Sequence, residues 1–143
     1  MNILFTVNRD YIEYVIDCIY SIVRFESEDG YDIYILHSDL QDQDQIYIAA
    51  QIKDPDILLH FHYVELSFFE AFPENERYPR LIYYHIFAAL FLPSELDRIL
   101  YLDGDTIVIN PLVKLYQMEF GDNYILACSH VGKFLNKMNQ YRL

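Results

Sequence analysis

Arg98-Ile99-Leu100-Tyr101-Leu102-Asp103-Gly104-Asp105-Thr106-Ile107-Val108 is the stretch whose reading decides the fold. Ile99 to Leu102 is a short run of β-branched, aliphatic and aromatic residues, the pattern of a strand buried on both faces of a parallel sheet. It runs into two carboxylates one residue apart, and Thr106 to Ile109 reads as a second short strand. Ligands of open α/β sheets sit beyond the carboxyl ends of such strands. Asp103 and Asp105 are therefore candidate ligands for a divalent metal held against a phosphate group, since hard carboxylate oxygens suit Mg2+ or Mn2+. The competing reading is a plain acidic turn. Gly104 either lets the backbone come close to a ligand or serves only the turn.

Context singles this pair out. The chain holds two more such patterns, Asp42-Gln43-Asp44 and Asp54-Pro55-Asp56. Both lie in polar surroundings with no strand leading in, and they read as a solvated helix start and a turn.

Working outward, Asn2 to Val7 reads as a buried strand, broken by Asn8-Arg9-Asp10, with Asp10 placed to cap a helix. Ile12, Val15, Ile16, Ile19, Tyr20, Ile22 and Val23 recur at helical spacing. After a polar turn from Glu26 to Gly30, Tyr31 to His37 predicts a second strand, Gln41 to Ile52 a helix, and Ile57 to Val64 a third strand. Ser67 to Arg80 reads as a loop with a short aromatic turn. Leu81 to Leu92 is apolar nearly all round and predicts a buried helix ended by Pro93. Asn110-Pro111 opens a helical turn, and Tyr124 to Cys128 reads as a last strand. Strands alternating with helices predict a mostly parallel sheet with right-handed crossovers. No closing element follows the last strand, so residues 1–143 read as a single but partial α/β domain.

The bulk numbers remove several function classes. Net charge is −12 with a pI near 4.6, whereas a nucleic-acid-binding face is basic. An acidic protein that binds phosphates needs a cation to bridge them. Cys18 and Cys128 share no motif spacing and read as buried free thiols. No apolar run is long enough to span a membrane, and the first strand starts without a basic leader or cleavage site. The expected setting is cytoplasmic, at most peripheral at a membrane. The 14 Tyr and 10 Phe are expected to be core or rim packing.

Three segments together resemble the N-terminal half of the family 8 glycosyltransferases, which have the Rossmann-like GT-A nucleotide-sugar-binding fold. Asn2-Ile3-Leu4-Phe5-Thr6-Val7-Asn8-Arg9-Asp10-Tyr11 is similar to the family's first strand and nucleotide-binding loop. Tyr83 to Pro93 resembles its central helix, and Leu100-Tyr101-Leu102-Asp103-Gly104-Asp105 with Thr106-Ile107-Val108 resembles its Asp-x-Asp signature. The resemblance implies a retaining transferase with a UDP-sugar donor of glucose or galactose type, a Mn2+ (or Mg2+) cofactor, and a glycan, lipid or protein acceptor. It implies that Asp103 and Asp105 ligate the metal, with Asp103 also near the donor's ribose or sugar. Thr6, Val7 and Asn8 would line the uracil, and Tyr11 would stack on it. His85 stands where the family has an Arg near the donor diphosphate or sugar, and His130 near a position where relatives carry an acidic residue. The family's third metal ligand, a His, and its acceptor-side residues belong to a C-terminal half beyond this resemblance. A face left uncovered by that half is expected to promote self-association.

Each residue also has a plainer reading. Tyr11 suits first-turn helix packing, Asn8 a satisfied loop, and His85 a buried, hydrogen-bonded histidine. His60 and His62 alternate on a strand and could pair as ligands, but with no partner evident they read as a solvated face, and His37 as a strand end. Two other classes stay open. A haloacid-dehalogenase-like phosphatase also places Asp-x-Asp after an apolar strand, with the first Asp as nucleophile, although there the motif sits on the first strand. A nucleotide-sugar-binding module without turnover is the other. A nicotinamide Rossmann domain fits less well still, with four glycines and no G-x-G-x-x-G.

Overall fold

The structure, a computed structural model, describes residues 1–25, 27, 29–74 and 81–128. Its centre is β1 (Asn2–Thr6), where Ile3, Leu4 and Phe5 are essentially inaccessible to water. A strand buried on both faces needs partners on both edges and cover above and below. The edges come from β2 (Tyr31–His37) and β4 (Leu100–Tyr101), and β3 (Ile57–Tyr63) extends the sheet beyond β2. The order is β3-β2-β1-β4 and every pairing is parallel.

Alternation along β1 and β2 splits the apolar residues between two layers. Ile3, Phe5, Val7, Ile33 and Ile35 face α1 (Ile12–Val23) and α2 (Asp42–Gln51). Helix α1 turns Ile12, Val15, Ile16, Ile19 and Ile22 inward, the stripe that its sequence spacing predicts, although Tyr20 is exposed. Leu4, Tyr34 and Leu36 face the other way, onto Val64, Phe69, Tyr84 and Ala88. That second layer is an aromatic cluster built on a 3-10 turn (Leu66–Phe69) and α3 (Ile82–Ile86). Phe69 lies 4.9 Å from Phe68, 5.5 Å from Phe72 and 5.4 Å from Tyr84, ring centre to ring centre. Much of the Phe and Tyr content is accounted for here. Gly30 turns the chain into β2 with φ of +66°, and a Cβ there would collide with the Asp56 carbonyl oxygen.

The first three strands and two helices fall within a residue or two of the sequence expectation. Later elements differ. Leu81 to Leu92 is not one buried helix: α3 ends at Ile86, a separate 3-10 turn covers Ala88–Leu90, and Ile86 and Leu90 are 61% and 63% exposed. The sheet offers this segment only one face, and Phe87 leaves the helix to pack 5.3 Å from Phe72. Thr106 to Ile109 joins no ladder, because the Val108 N–H bonds the Ser21 side chain instead of a strand. Tyr124 to Cys128 is no strand either. Tyr124 is 99% exposed, and Cys128 is an exposed thiol rather than a buried one. Asp10 does not cap α1, since it lies inside a 3-10 turn (Arg9–Tyr11) that precedes the helix. The expected helical turn after Asn110-Pro111 is α4 (Val113–Tyr116).

Candidate functional site at the carboxyl ends of β1 and β4

From β1 the chain steps outward through β2 to β3, then returns to lay β4 on the other side of β1. The chain leaves β1 toward β2 yet β4 pairs on the other edge of β1, so the strand order reverses between β1 and β4. This is the topological switch point at which open α/β sheets bind their ligands. The two segments singled out from the sequence, Thr6 to Tyr11 and Asp103 to Asp105, sit on its two sides. They also touch. A Cβ built on Gly104 would lie 3.7 Å from Val7 Cγ1, 3.7 Å from Val15 Cβ and 3.9 Å from Tyr11 Cδ1. Gly104 is buried against the β1 loop, while Asp103 and Asp105 on either side of it are exposed.

Asp103 is not a free carboxylate. The hydroxyl of Tyr101, the last residue of β4, donates to Asp103 Oδ1 at 2.6 Å. Thr6 Oγ1 lies 3.5 Å from that hydroxyl. The Tyr101 ring stacks on His85 of α3 at 4.5 Å and 22° between planes. Burial, with the bond to Asp103, pushes the Tyr101 phenol up to about 12, so it stays a donor at neutral pH. Burial pushes the His85 imidazole down, against the attraction of Asp103. His85 departs from expectation in one respect: its buried Nδ1 has no hydrogen-bond partner among the described residues, and the ring is held by stacking. The buried Cys18 thiol is pushed up to about 11 by burial and then by the Asp105 carboxylate, which leaves it inert.

On the β1 side, Val7 is fully buried, its N–H bonds the Leu36 carbonyl at 3.1 Å, and its side chain packs under Gly104. Asn8 carries a buried side-chain oxygen without a partner among the described residues. Tyr11 is 39% exposed, with its ring 5.5 Å from Tyr14. The loop is tied down by residues that sequence reasoning passed over. The Arg9 N–H donates to Asp39 Oδ2 at 3.1 Å, and the Arg9 guanidinium pairs with Asp44 at 3.2 Å. Asp44, expected to be solvated, is buried and accepts the Gln41 N–H in a capping box at the start of α2. Tyr101 was legible in principle, as the last residue of the strand that leads into Asp103.

Other expectations resolve away from the switch point. His60 is no free strand-face histidine: it bonds Asp32 at 2.8 Å and stacks on Tyr34 at 4.6 Å. His37 is buried rather than a bare strand end. His130 lies outside the described residues. Among the described residues no group of three or more His, Cys, Asp or Glu could hold a metal, so Asp103 and Asp105 are a two-carboxylate set. That set suits a hard divalent cation whose other positions are filled by phosphate oxygens and water. An apolar groove of about 380 Å³ beside Tyr20, Val23, Ile52 and Pro55 lies at the opposite, amino-terminal edge of the sheet. No helix among the described residues is long and apolar enough to cross a membrane.

Sheet order and flanking helices make this an α/β domain of GT-A type, and comparison with known proteins agrees. The family model for glycosyl transferase family 8 matches residues 2–143. This chain belongs to glycosyltransferase family 8. A lipopolysaccharide 1,2-glucosyltransferase from Escherichia coli is 23% identical over 124 residues, 86% of this chain and 36% of that protein. Glycosyltransferase GlyE from Streptococcus pneumoniae is 27% identical over 132 residues, 87% of this chain and 30% of that protein. The chain thus spans about a third of the length of these relatives. Among solved structures, galactosyltransferase LgtC in complex with donor and acceptor sugar analogs superposes with a TM-score of 0.85 at 22% identity, over 99% of this chain and 50% of LgtC. The apo structure of the bifunctional glycosyltransferase WbbM superposes at 0.67 with 19% identity, over 85% of this chain and 21% of WbbM.

Proposed function

We propose that this chain forms the donor-binding part of a retaining hexosyltransferase that takes a UDP-hexose of glucose or galactose type and transfers the sugar to a glycan, lipid or protein acceptor. The observation that carries this reading is the contact between the β1 loop and the Asp-x-Asp loop across the switch point. A nucleoside diphosphate laid over that contact meets an aromatic ring at one end and two carboxylates at the other.

In this reading Tyr11 stacks on the uracil, and Thr6, Val7 and Asn8 form the wall of the base site. The buried side-chain oxygen of Asn8 is an acceptor without a donor among the described residues, which suits an imide N–H. Gly104 brings backbone close to the sugar phosphate, and His85 stands behind Tyr101 on the diphosphate side. Asp103 and Asp105 hold the divalent ion, Mn2+ or Mg2+. When bound, that ion supplies the positive charge that stabilises a departing nucleoside diphosphate. Like charges would otherwise repel, because the chain is strongly acidic. A phosphatase of haloacid-dehalogenase type would need its nucleophilic Asp after the first strand, where this chain has Thr6 and Val7.

Calorimetric titration of UDP, with Mn2+ and with EDTA, tests the proposal. Metal-dependent binding is expected, and Asp105→Asn should weaken it at least tenfold, or about 1.4 kcal/mol. Equal UDP affinity with and without metal would overturn it.

A further inference from the structure

Tyr101 makes a contact that core packing does not require. Its ring belongs to the second apolar layer, against Leu4 across the β1–β4 pairing and against His85. Its hydroxyl leaves that layer and reaches Asp103 Oδ1 at 2.6 Å, the length of a charge-assisted O–H···O⁻ bond. An exposed aspartate turns broadly about its terminal torsion. A metal needs the carboxylate in one orientation, and the partners that orient metal ligands are worth much of the affinity. The tether occupies one oxygen and leaves Oδ2 without a protein partner among the described residues.

We infer that Tyr101 is a positioning residue, whose hydroxyl, braced by the ring stack on His85, would present Asp103 Oδ2 to the divalent cation of the proposed donor site. The inference rests on the proposed metal-dependent UDP site. It assigns His85 a second task, as the surface against which Tyr101 is held flat. Thr6, at 3.5 Å from the same hydroxyl, is near enough for its own hydroxyl to keep the phenol turned toward Asp103.

The test separates the tether from simple packing. Tyr101→Phe removes one oxygen and keeps the ring on His85. UDP affinity is measured by calorimetry in Mn2+ and in EDTA, and free Mn2+ is followed by electron paramagnetic resonance at saturating UDP. Tyr101→Phe is expected to lower Mn2+ affinity about tenfold, the lower end for outer-shell partners of a metal ligand. UDP affinity in EDTA should be unchanged. His85→Ala keeps the hydroxyl but removes its brace, and should give a smaller loss of Mn2+ affinity than Tyr101→Phe. An unaltered Mn2+ affinity in Tyr101→Phe, beside a metal-dependent parent, would overturn the inference and leave the metal site standing. A loss of equal size in Mn2+ and EDTA would overturn it in favour of packing, through the contact of Gly104 with the base loop. A parent protein whose UDP binding ignores Mn2+ would remove both the site and the inference.

Discussion

Ser21→Ala is a small change with a calculable cost. Ser21 lies in the buried stripe of α1, and its Oγ donates to the Cys18 carbonyl at 2.6 Å and accepts the Val108 N–H at 2.8 Å. Both bonds are buried. Cys18 sits mid-helix, so its carbonyl keeps a place in the helical ladder when the hydroxyl is removed. Val108 has no such reserve, because its segment joins no strand. Alanine would leave a buried N–H unsatisfied, at a cost of about 1–3 kcal/mol. A central value of about 2 kcal/mol corresponds to a fall in Tm of roughly 4–8 °C for a chain of this size. Urea unfolding should show a lower midpoint at unchanged slope, the signature of altered stability with the same area exposed. Hydrogen exchange at the Val108 amide should quicken, since its slow exchange depends on that bond. Ser67→Ala, at an exposed serine, is the control and should stay within about 0.5 kcal/mol. A Ser21→Ala protein within about 0.5 kcal/mol of the parent, with the Val108 amide still slow to exchange, would refute the reasoning.

If Tyr11 stacks on uracil, Tyr11→Ala should cost about 1–3 kcal/mol of UDP affinity by calorimetry, with Tyr11→Phe nearly silent. A lower Tm at unchanged UDP affinity would mark it as packing for Tyr14 and Gly104 alone. Asp44→Ala removes both the Arg9 ion pair and the acceptor for the Gln41 N–H, and should cost about 1–2 kcal/mol in urea unfolding. Exposed Asp42→Asn should stay within about 0.5 kcal/mol, and equal losses for the two would contradict the capping geometry. Burial holds the His37 imidazole below its ordinary value of 6.5, against the attraction of Asp39. The unfolded chain then takes up its proton first as pH falls, so this stability is complete above about pH 6.5 and declines below it. His62 and His85 are shifted the same way by burial. Urea midpoints should be level above about pH 7.5 and drop on acidification, with a shallower drop in His37→Gln; a midpoint that rises on acidification would refute this.

Apolar patterning alone determined a good deal of this protein. Short apolar runs in Asn2 to Thr6, Tyr31 to His37 and Ile57 to Tyr63, and a period of 3.6 in Ile12 to Val23, report which segments must leave water. A parallel α/β sheet follows from their alternation. The strand-end position of Asp103 and Asp105, and the family to which the chain belongs, were legible for the same reason, since both are written in contiguous residues. What covers a buried face is not local information. Only the tertiary structure decided that β4 pairs with β1, and this adjacency brings two distant loops into contact. It also decided that Leu81 to Leu92 breaks after Ile86, because the sheet beneath supplies a single apolar face. The supports of the site join residues far apart in the chain: Tyr101 with His85, Arg9 with Asp44, and Ser21 with Val108 at a separation of 87 residues. A hydroxyl or a carboxylate carries no sign of its partner in the sequence, because polar pairing depends on where the packed elements bring it.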